Sequence, residues 1–549
     1  MGRVSAVVLA VLALGLLPAS AAGAGFSLGV ATGEVTSSTA LLWGHATSSG
    51  KVTLGVTRNF KQVTASGSAT AKSKNDNTVQ FLVRHLKADT TYFFRLTQGA
   101  KHSVFGRFKT APAPTTSKTI RFAWTGDADA QRQPGKSKPY FGSFGVYSAM
   151  ARENNDFDIN MGDTIYSDTE VPATGSGLVE FAGQKPASGP ALTVAQKWAK
   201  YRQNLGLANL QALRKSTGVY DHFDDHEFIN DFGRNEMLRA NGADGSSVFV
   251  DGSKVYGNGV KAFRDYMPVS YTSKDGLYRS FRWGKNLELF FLDERSFRSA
   301  KAGSPTIKTC DNPSTMAPDF APTAPQDERN GFALIAPSLA QPVSPACLNA
   351  IKDPNRTMLG SRQLGKFETA IKNSKATFKV IMNEVAIQQL FANPYDSWAG
   401  YADERAKLLT FLKNNVKNVI FLTTDIHASI VNDARFATFP SQGGPTNSGI
   451  LDVTTGPVAT GTFEREINEA LNNPNAGRAA DSIFLTRPPT FPGIPGVGAQ
   501  CSVVNTNSYG QVTVTSKKLT IELKDANRKT VREEEDPKPA CAKIVLNKQ

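Results

Sequence analysis

A chain of 549 residues, 40% hydrophobic and 20% charged, excludes a protein too short or too polar to bury a core; it is ordinary for a soluble globular chain of more than one domain. The formal net charge of +14 favours anionic partners such as phosphate esters, anionic lipids or cell-wall polymers. Lys and Arg are scattered with no dominant run, so the charge permits such partners without selecting one.

Residues 1–24 read as an export signal rather than as part of the fold. Arg3 supplies a thin positive region, Val7 to Leu17 an apolar run, and Ala19-Ser20-Ala21 or Ala22-Gly23-Ala24 a small-residue cleavage site. That run is too short for a permanent anchor, and no later stretch is long and apolar enough to span a bilayer. The mature chain is expected to be secreted, extracellular or periplasmic and cell-wall associated, with a charge of +13 (14 − 1 for Arg3). Export fits the four cysteines, Cys310, Cys347, Cys501 and Cys541, an even number in an oxidising context. Sequence order favours Cys310–Cys347 and Cys501–Cys541, and leaves the other two pairings open.

From Gly25 to about Pro114, short alternating strands are separated by polar turns: Thr39–Trp43, Val52–Val56, Val79–Val83, Tyr92–Leu96 and Val104–Lys109. This spacing predicts a β-sandwich of roughly one hundred residues. Leu86 to Tyr92 is similar to the tyrosine-corner stretch of fibronectin type III-like domains. Nothing in it carries chemistry, which makes it a spacer or a substrate-shaping domain. Ala111-Pro112-Ala113-Pro114-Thr115-Thr116-Ser117 is the expected linker.

The rhythm then changes. Ile120–Thr125 is a strand, Phe144 to Glu153 a helix and Asp156–Met161 the next strand, a β-α-β unit whose parallel strands present ligands at their carboxyl ends. Asp127 and Asp163 both fall there. Gly175–Pro190 is a loop, and Leu192–Leu213 has helical spacing. Val219–Phe223 leads into Asp224-Asp225-His226-Glu227, and Gly242–Gly259 and Ser304–Pro345 are Gly- or Pro-rich insertions. Leu287–Leu292 and Phe378–Met382 are buried strands ending at Asp293-Glu294-Arg295 and Asn383-Glu384. A helix from Asp403 to about Asn414 precedes the strand Val419–Leu422 and Thr424-Asp425-Ile426-His427; Gln511–Thr515 and Leu519–Leu523 form a late hairpin.

Several strand ends thus deliver acidic, amide, phenol or imidazole groups. In Gly162-Asp163-Thr164-Ile165-Tyr166 a glycine turn puts a carboxylate and a phenol three residues apart, suited to a hard cation. Alone, this stretch is equally a Gly-Asp turn with a packed tyrosine. The histidines sharpen the reading: of six, only His222, His226 and His427 lie beyond residue 115, and two of those three sit inside polar clusters beside carboxylates.

Taken together, Gly126-Asp127-Ala128-Asp129, Gly162 to Tyr166, Asp224 to Glu227, Asp293-Glu294-Arg295 with Arg298, Val380 to Asn383 and Thr424 to His427 resemble the calcineurin-like metallophosphoesterases, within them the alkaline phosphatase D type. Arg356 to Gly360 and the stretch from Asp396 to Tyr401 are similar to this family too. The resemblance implies an α/β fold: a β-sandwich metallophosphoesterase domain with flanking helices over 115–549, preceded by a small all-β sandwich domain over 25–114. It also implies two metal ions, with Asp163 bridging. Asp127, Tyr166 and His427 complete the first site, and Asp225, Asn383 and Asp425 fall at the second. Phenolate, imidazole and carboxylate suit Fe³⁺, and the all-oxygen second set suits Ca²⁺. The family commonly has a cysteine thiolate where this chain has Asp127, and Asp129 is an additional ligand candidate.

In the implied chemistry His226 protonates the leaving alkoxide or braces the phosphate, with its ring oriented by Glu227 or Asp224, while Arg295 neutralises phosphate charge. Arg295 reads as readily as an ion-pair partner of Asp293 or Glu294. The expected activity is phosphoesterase action on a small-molecule, lipid or polymer phosphate ester, by a monomer needing no nucleic acid. Two rivals stand beside it: a phospholipase D-like or teichoic-acid-type diesterase with the same metal core, and a non-catalytic secreted protein that binds cell-wall polymers.

Overall fold

Alternation along the strands sets the architecture, as described for residues 25–168, 171–175, 185–304, 306–333, 336–391, 393–437, 447–484, 499–532, 541 and 543–549 of a computed structural model. The expected export signal, and residues 176–184 of the expected Gly175–Pro190 loop, lie outside the described residues. In the strand Phe378–Met382, Phe378, Val380 and Met382 enter one apolar core and Ile381 another. Ile420 and Leu422 against Val419 and Phe421, in Val419–Thr423, divide the same way. So do Phe122 and Trp124 against Ala123, in Ile120–Thr125. Strands buried on both faces need apolar residues at successive positions, which is why these read as near-continuous runs, interrupted at Arg121 and Lys379.

The shared core lies between two sheets. One runs Gly218–Asp221, Phe157–Asn160, Ile120–Thr125, Ser508–Val514, Lys518–Asp525, Ile544–Asn547, its first three strands parallel. The other runs Arg279–Trp283, Leu287–Phe291, Phe378–Met382, Val419–Thr423, Asn447–Thr454, Ser429–Arg435, Cys501–Val503, parallel from Leu287–Phe291 through Asn447–Thr454. Helices cover both outer faces: Tyr147, Tyr201, Leu213 and Phe263 on the first sheet, Phe367, Ile371, Leu409 and Leu412 on the second. The expected β-sandwich with flanking helices is the observed fold. The parallel strands end along one edge, where the Trp124 indole donates to the Thr423 carbonyl across the sandwich at 3.1 Å.

In front, residues 30–109 form two antiparallel sheets. All five expected strands are present, and Tyr92 Oη accepts the Lys87 amide at 2.9 Å, as a tyrosine corner requires. Val30–Gly33 and Val63–Ala71 are additional strands; the latter is mostly exposed and so lacks the apolar alternation that marks a strand. This unit is not a loose spacer. Arg279 Nη1 donates to Glu34 at 2.6 Å, the Trp43 indole to the Asp265 carbonyl at 2.8 Å, and the linker is held by Lys285 N on Thr116 O at 2.8 Å.

The structure adds detail to three expected segments. The Gly-rich insertion Gly242–Gly259 comprises a hairpin turn, the strand Ser247–Asp251 and the start of the helix Gly252–Tyr266, where an added Cβ at Gly259 would overlap the Phe228 ring. Leu192–Leu213 is two helices, Val194–Leu205 and Ala208–Ser216, parted at Gly206. The Ser304–Pro345 insertion contains a helix, Gln326–Phe332, whose buried Arg329 holds both oxygens of Asp319 at 2.7 and 2.9 Å. The disulfides are Cys310–Cys347 and Cys501–Cys541, the pairing that sequence order favours. Among the described residues no helix is long and apolar enough to cross a membrane.

Gly510 pairs with Trp124 across the first sheet, and an added Cβ there would overlap the indole ring. Gly510→Ala is expected to destabilise the fold by about 1–3 kcal/mol, measured by denaturant unfolding. An unchanged midpoint would show that the indole can move aside.

Candidate metal centre

The carboxyl edge of the sandwich is built from unusual backbone. Asp127 (φ 67°), Asp163 (φ 48°), Asp425 (φ 72°) and His427 (φ 56°) all adopt the left-handed conformation just beyond strand ends. Non-glycine residues rarely do so unless their surroundings impose it, and such residues gather at functional sites. Gly162 (φ 114°) makes the turn before Asp163, and a Cβ there would overlap Asp224.

These turns bring the candidate ligands together. Ligand atoms of Asp127, Asp163 and His427 lie within 4.8 Å of one another, as do those of Asp163, Asp225 and His226, and those of Asp224, Asp225 and Asp425. Asp163 is common to the first two groups, and Asp225 to the second and third. Tyr166 Oη lies 3.2 Å from His427 Nε2. Asn383 sits at the same edge, its amide on Leu422 O at 3.0 Å; its Nδ2 donates to Val385 O at 2.6 Å, and its Oδ1 is buried without a hydrogen-bond partner. Asp129 belongs to none of these groups among the described residues, and its Oδ1 accepts the Gln131 amide at 2.7 Å.

Two supporting roles differ from expectation. Neither Glu227 nor Asp224 orients the His226 ring. Adjacent residues of a tight 3₁₀ turn point in different directions, so Glu227 accepts the amides of Asp163 (2.9 Å), Thr164 (2.8 Å) and Asp224 (2.8 Å) instead. The His226 ring is held by Asp168 Oδ1, 2.6 Å from Nδ1, and packs on Tyr166 with centroids 4.1 Å apart. Burial would raise Asp168, but the adjacent imidazole holds it below the usual carboxylate range. Arg295 is fully buried, and its nitrogens are committed to Asp224 (2.5 Å), Asp396 (2.6 Å) and Asp425 (3.0 Å), with Asp225 at 3.8 Å. It pairs with neither Asp293 nor Glu294, and it offers no open fork to a phosphate. Its charge lies behind the candidate ligands Asp225 and Asp425.

Profiles of known families bear directly on this arrangement. That of the PhoD-like phosphatases matches residues 130–489, and that of the PhoD-like phosphatase N-terminal domain matches residues 12–112. The chain belongs to the PhoD-like phosphatase family. Alkaline phosphatase D of Bacillus subtilis (strain 168) is 24% identical over 434 residues, covering 74% of this chain and 64% of that relative, somewhat under two thirds of its length. The solved structure of PhoD superposes with a TM-score of 0.68 at 19% identity, over 97% of this chain and 90% of that one. A purple acid phosphatase, PPD1 from yellow lupin (Lupinus luteus), gives a TM-score of 0.50 at 11% identity, over 92% and 72%. At these identities the two structures speak to the fold alone, and that fold is the metallophosphoesterase sandwich.

In this PhoD-like chain the donor chemistry fits a metal centre. Asp127 Oδ1 and Oδ2, Asp225 Oδ1 and Asn383 Oδ1 are all buried without a hydrogen-bond partner, the condition that a cation relieves. Burial pushes Asp127 up to about 6, with His427 opposing. Burial likewise raises Asp224 to about 7 against Arg295, and Glu227 to about 8 against the amides it accepts. Asp163 and Asp425 are raised by burial too, with like-charged neighbours adding to it. The sequence offers no role for Asp168, two residues beyond Tyr166, nor for Asp396 beyond its place at the head of the stretch to Tyr401; what assigns them is the partner each meets.

The direction of those shifts sets a pH test. With the metals stripped, Asp127, Asp224 and Glu227 favour the fold while protonated; that contribution is complete below their unfolded values, near 4, and is lost as pH rises through about 6 to 8. The loss of Tm on chelation is therefore expected to grow from about pH 5 to about pH 9. A chelator effect that is flat across this range would contradict it.

Proposed function

We propose that this chain is an exported metal-dependent phosphoesterase, with Asp163 bridging two ions. The supporting observation is the pair of overlapping ligand groups that share Asp163. Asp127, Asp163, Tyr166 and His427 would hold Fe³⁺, and Asp163, Asp225, Asn383 and Asp425 would hold Ca²⁺, by the match of donor hardness. Such a pair supplies an activated water and charge stabilisation for in-line displacement at phosphorus.

The chain's own residues carry the rest. His226, oriented through Nδ1 by Asp168, presents Nε2 as the proton donor to the leaving oxygen, beside the bridging carboxylate. The His226 amide donates to Asp163 Oδ1 at 3.1 Å, which fixes the aim of the bridge. Arg295 positions Asp425 and, through Asp224, the turn that carries Asp225. The net charge, +14 for the full sequence and +13 (14 − 1) without Arg3, raises the local concentration of anionic phosphate esters. Export is supported by the N-terminal apolar run and by two disulfides.

Asp163→Ala is expected to remove metal loading and hydrolysis of p-nitrophenyl phosphate and its bis-ester together, by elemental analysis and turnover. Normal metal content in that variant would overturn the bridging assignment. His226→Ala should retain both ions while kcat falls by about 10²- to 10⁴-fold. Unchanged turnover would retire His226 as the acid. No metal uptake and no turnover by the native protein would leave the polymer-binding reading in possession.

A further inference from the structure

Glu466 was invisible in the sequence, yet it touches the metal centre. It lies on the helix Phe463–Ala470, and its Oε1 is 2.7 Å from His427 Nδ1. The helix is seated on both sides of that histidine. Phe463 and Ile467, one turn apart on the same helix face, share an apolar cluster with Ile426 and Ala428, the two residues that flank His427. The Phe463 amide donates to the His427 carbonyl at 3.1 Å. Glu464 and Glu469 of the same helix are engaged by arginines, Arg478 at 3.5 Å and Arg465 at 3.0 Å. Glu466 is the carboxylate turned inward, with no lysine or arginine partner among the described residues.

His427 needs such support. Its left-handed backbone (φ 56°) takes it out of the strand geometry that aims its neighbours, so a contact to the ring must set the ring's direction. A carboxylate on Nδ1 requires the proton there, which leaves the Nε2 lone pair facing Tyr166 Oη and the carboxylates of Asp127 and Asp163. A carboxylate on the outer nitrogen of a ligating imidazole also raises its basicity.

We propose that Glu466 is the positioning residue of the first metal site: it fixes the tautomer and direction of His427 and sets how tightly that site holds its ion. This inference rests on the metal-centre reading above. Chelator-stripped wild type, Glu466→Ala, Glu466→Gln and His427→Ala are titrated with Co²⁺ alone, followed by visible absorption and by Tm. In Glu466→Ala one binding step is expected to weaken by about 10- to 100-fold, the same step that His427→Ala removes, with the other unchanged. Glu466→Gln, whose amide oxygen still accepts the Nδ1 proton and whose shape is preserved, is expected to lie between alanine and wild type. Wild-type affinity in Glu466→Ala, or equal loss of both steps with a lowered Tm in both variants, would overturn the inference and leave the metal centre standing. Absence of Co²⁺ uptake by the wild type would remove the centre itself, and the inference with it.

Discussion

Negative charge concentrated out of water is the constraint that governs the rest of the molecule. Asp127, Asp163, Asp224 and Asp225 are buried at one edge of the sandwich in overlapping groups whose ligand atoms lie within 4.8 Å, and Arg295 faces Asp224 and Asp225 from within the fold. One guanidinium cannot neutralise that many carboxylates, and buried like charges repel through a medium that screens them poorly. Burial above all, with like-charged neighbours adding to it, pushes Asp127, Asp163 and Asp224 toward the neutral form. Bound cations reverse that balance, which makes folding energetics and ligand binding two views of one electrostatic problem.

The backbone around the site follows from the same demand. Carboxylates can converge from strands far apart in sequence only if the chain turns sharply just past each strand end. Four left-handed residues and Gly162 provide those turns. The strain is held in place by ordinary packing: the Trp124–Thr423 contact ties the two sheets together at the level where the ligands emerge. Arg298 and Arg295 grip Asp396 from two directions at 2.6 Å, and their charges outweigh burial so that its carboxyl stays below the usual range.

How much of this was legible in the sequence depended on range. Strands buried on both faces announce themselves by nearly continuous apolar runs, and the bounds expected for Ile120–Thr125 and Phe378–Met382, broken only by Arg121 and Lys379 before their ends, coincide with the observed ones. The polar residues that follow each run locate the candidate ligands for the same reason. Val63–Ala71, exposed on most of its length, carries no such mark. The helix Gly252–Tyr266 was hidden because glycine at position 259 answers to the bulk of Phe228 rather than to local propensity. Orientation was illegible altogether: Asp168 on His226, Glu466 on His427 and the carboxylates around Arg295 are choices made between distant segments. Immediate neighbours in sequence, the natural first guess for His226, point elsewhere.

The docking of the front sandwich has a consequence of its own. With Glu34 clamped by Arg279, Trp43 anchored to Asp265 and the connecting segment laced to the larger sandwich, the front unit is tied down at three separate places. Swinging it away as an arm or a flap would mean breaking all three contacts together. Whatever selectivity it lends comes from a wall held in place.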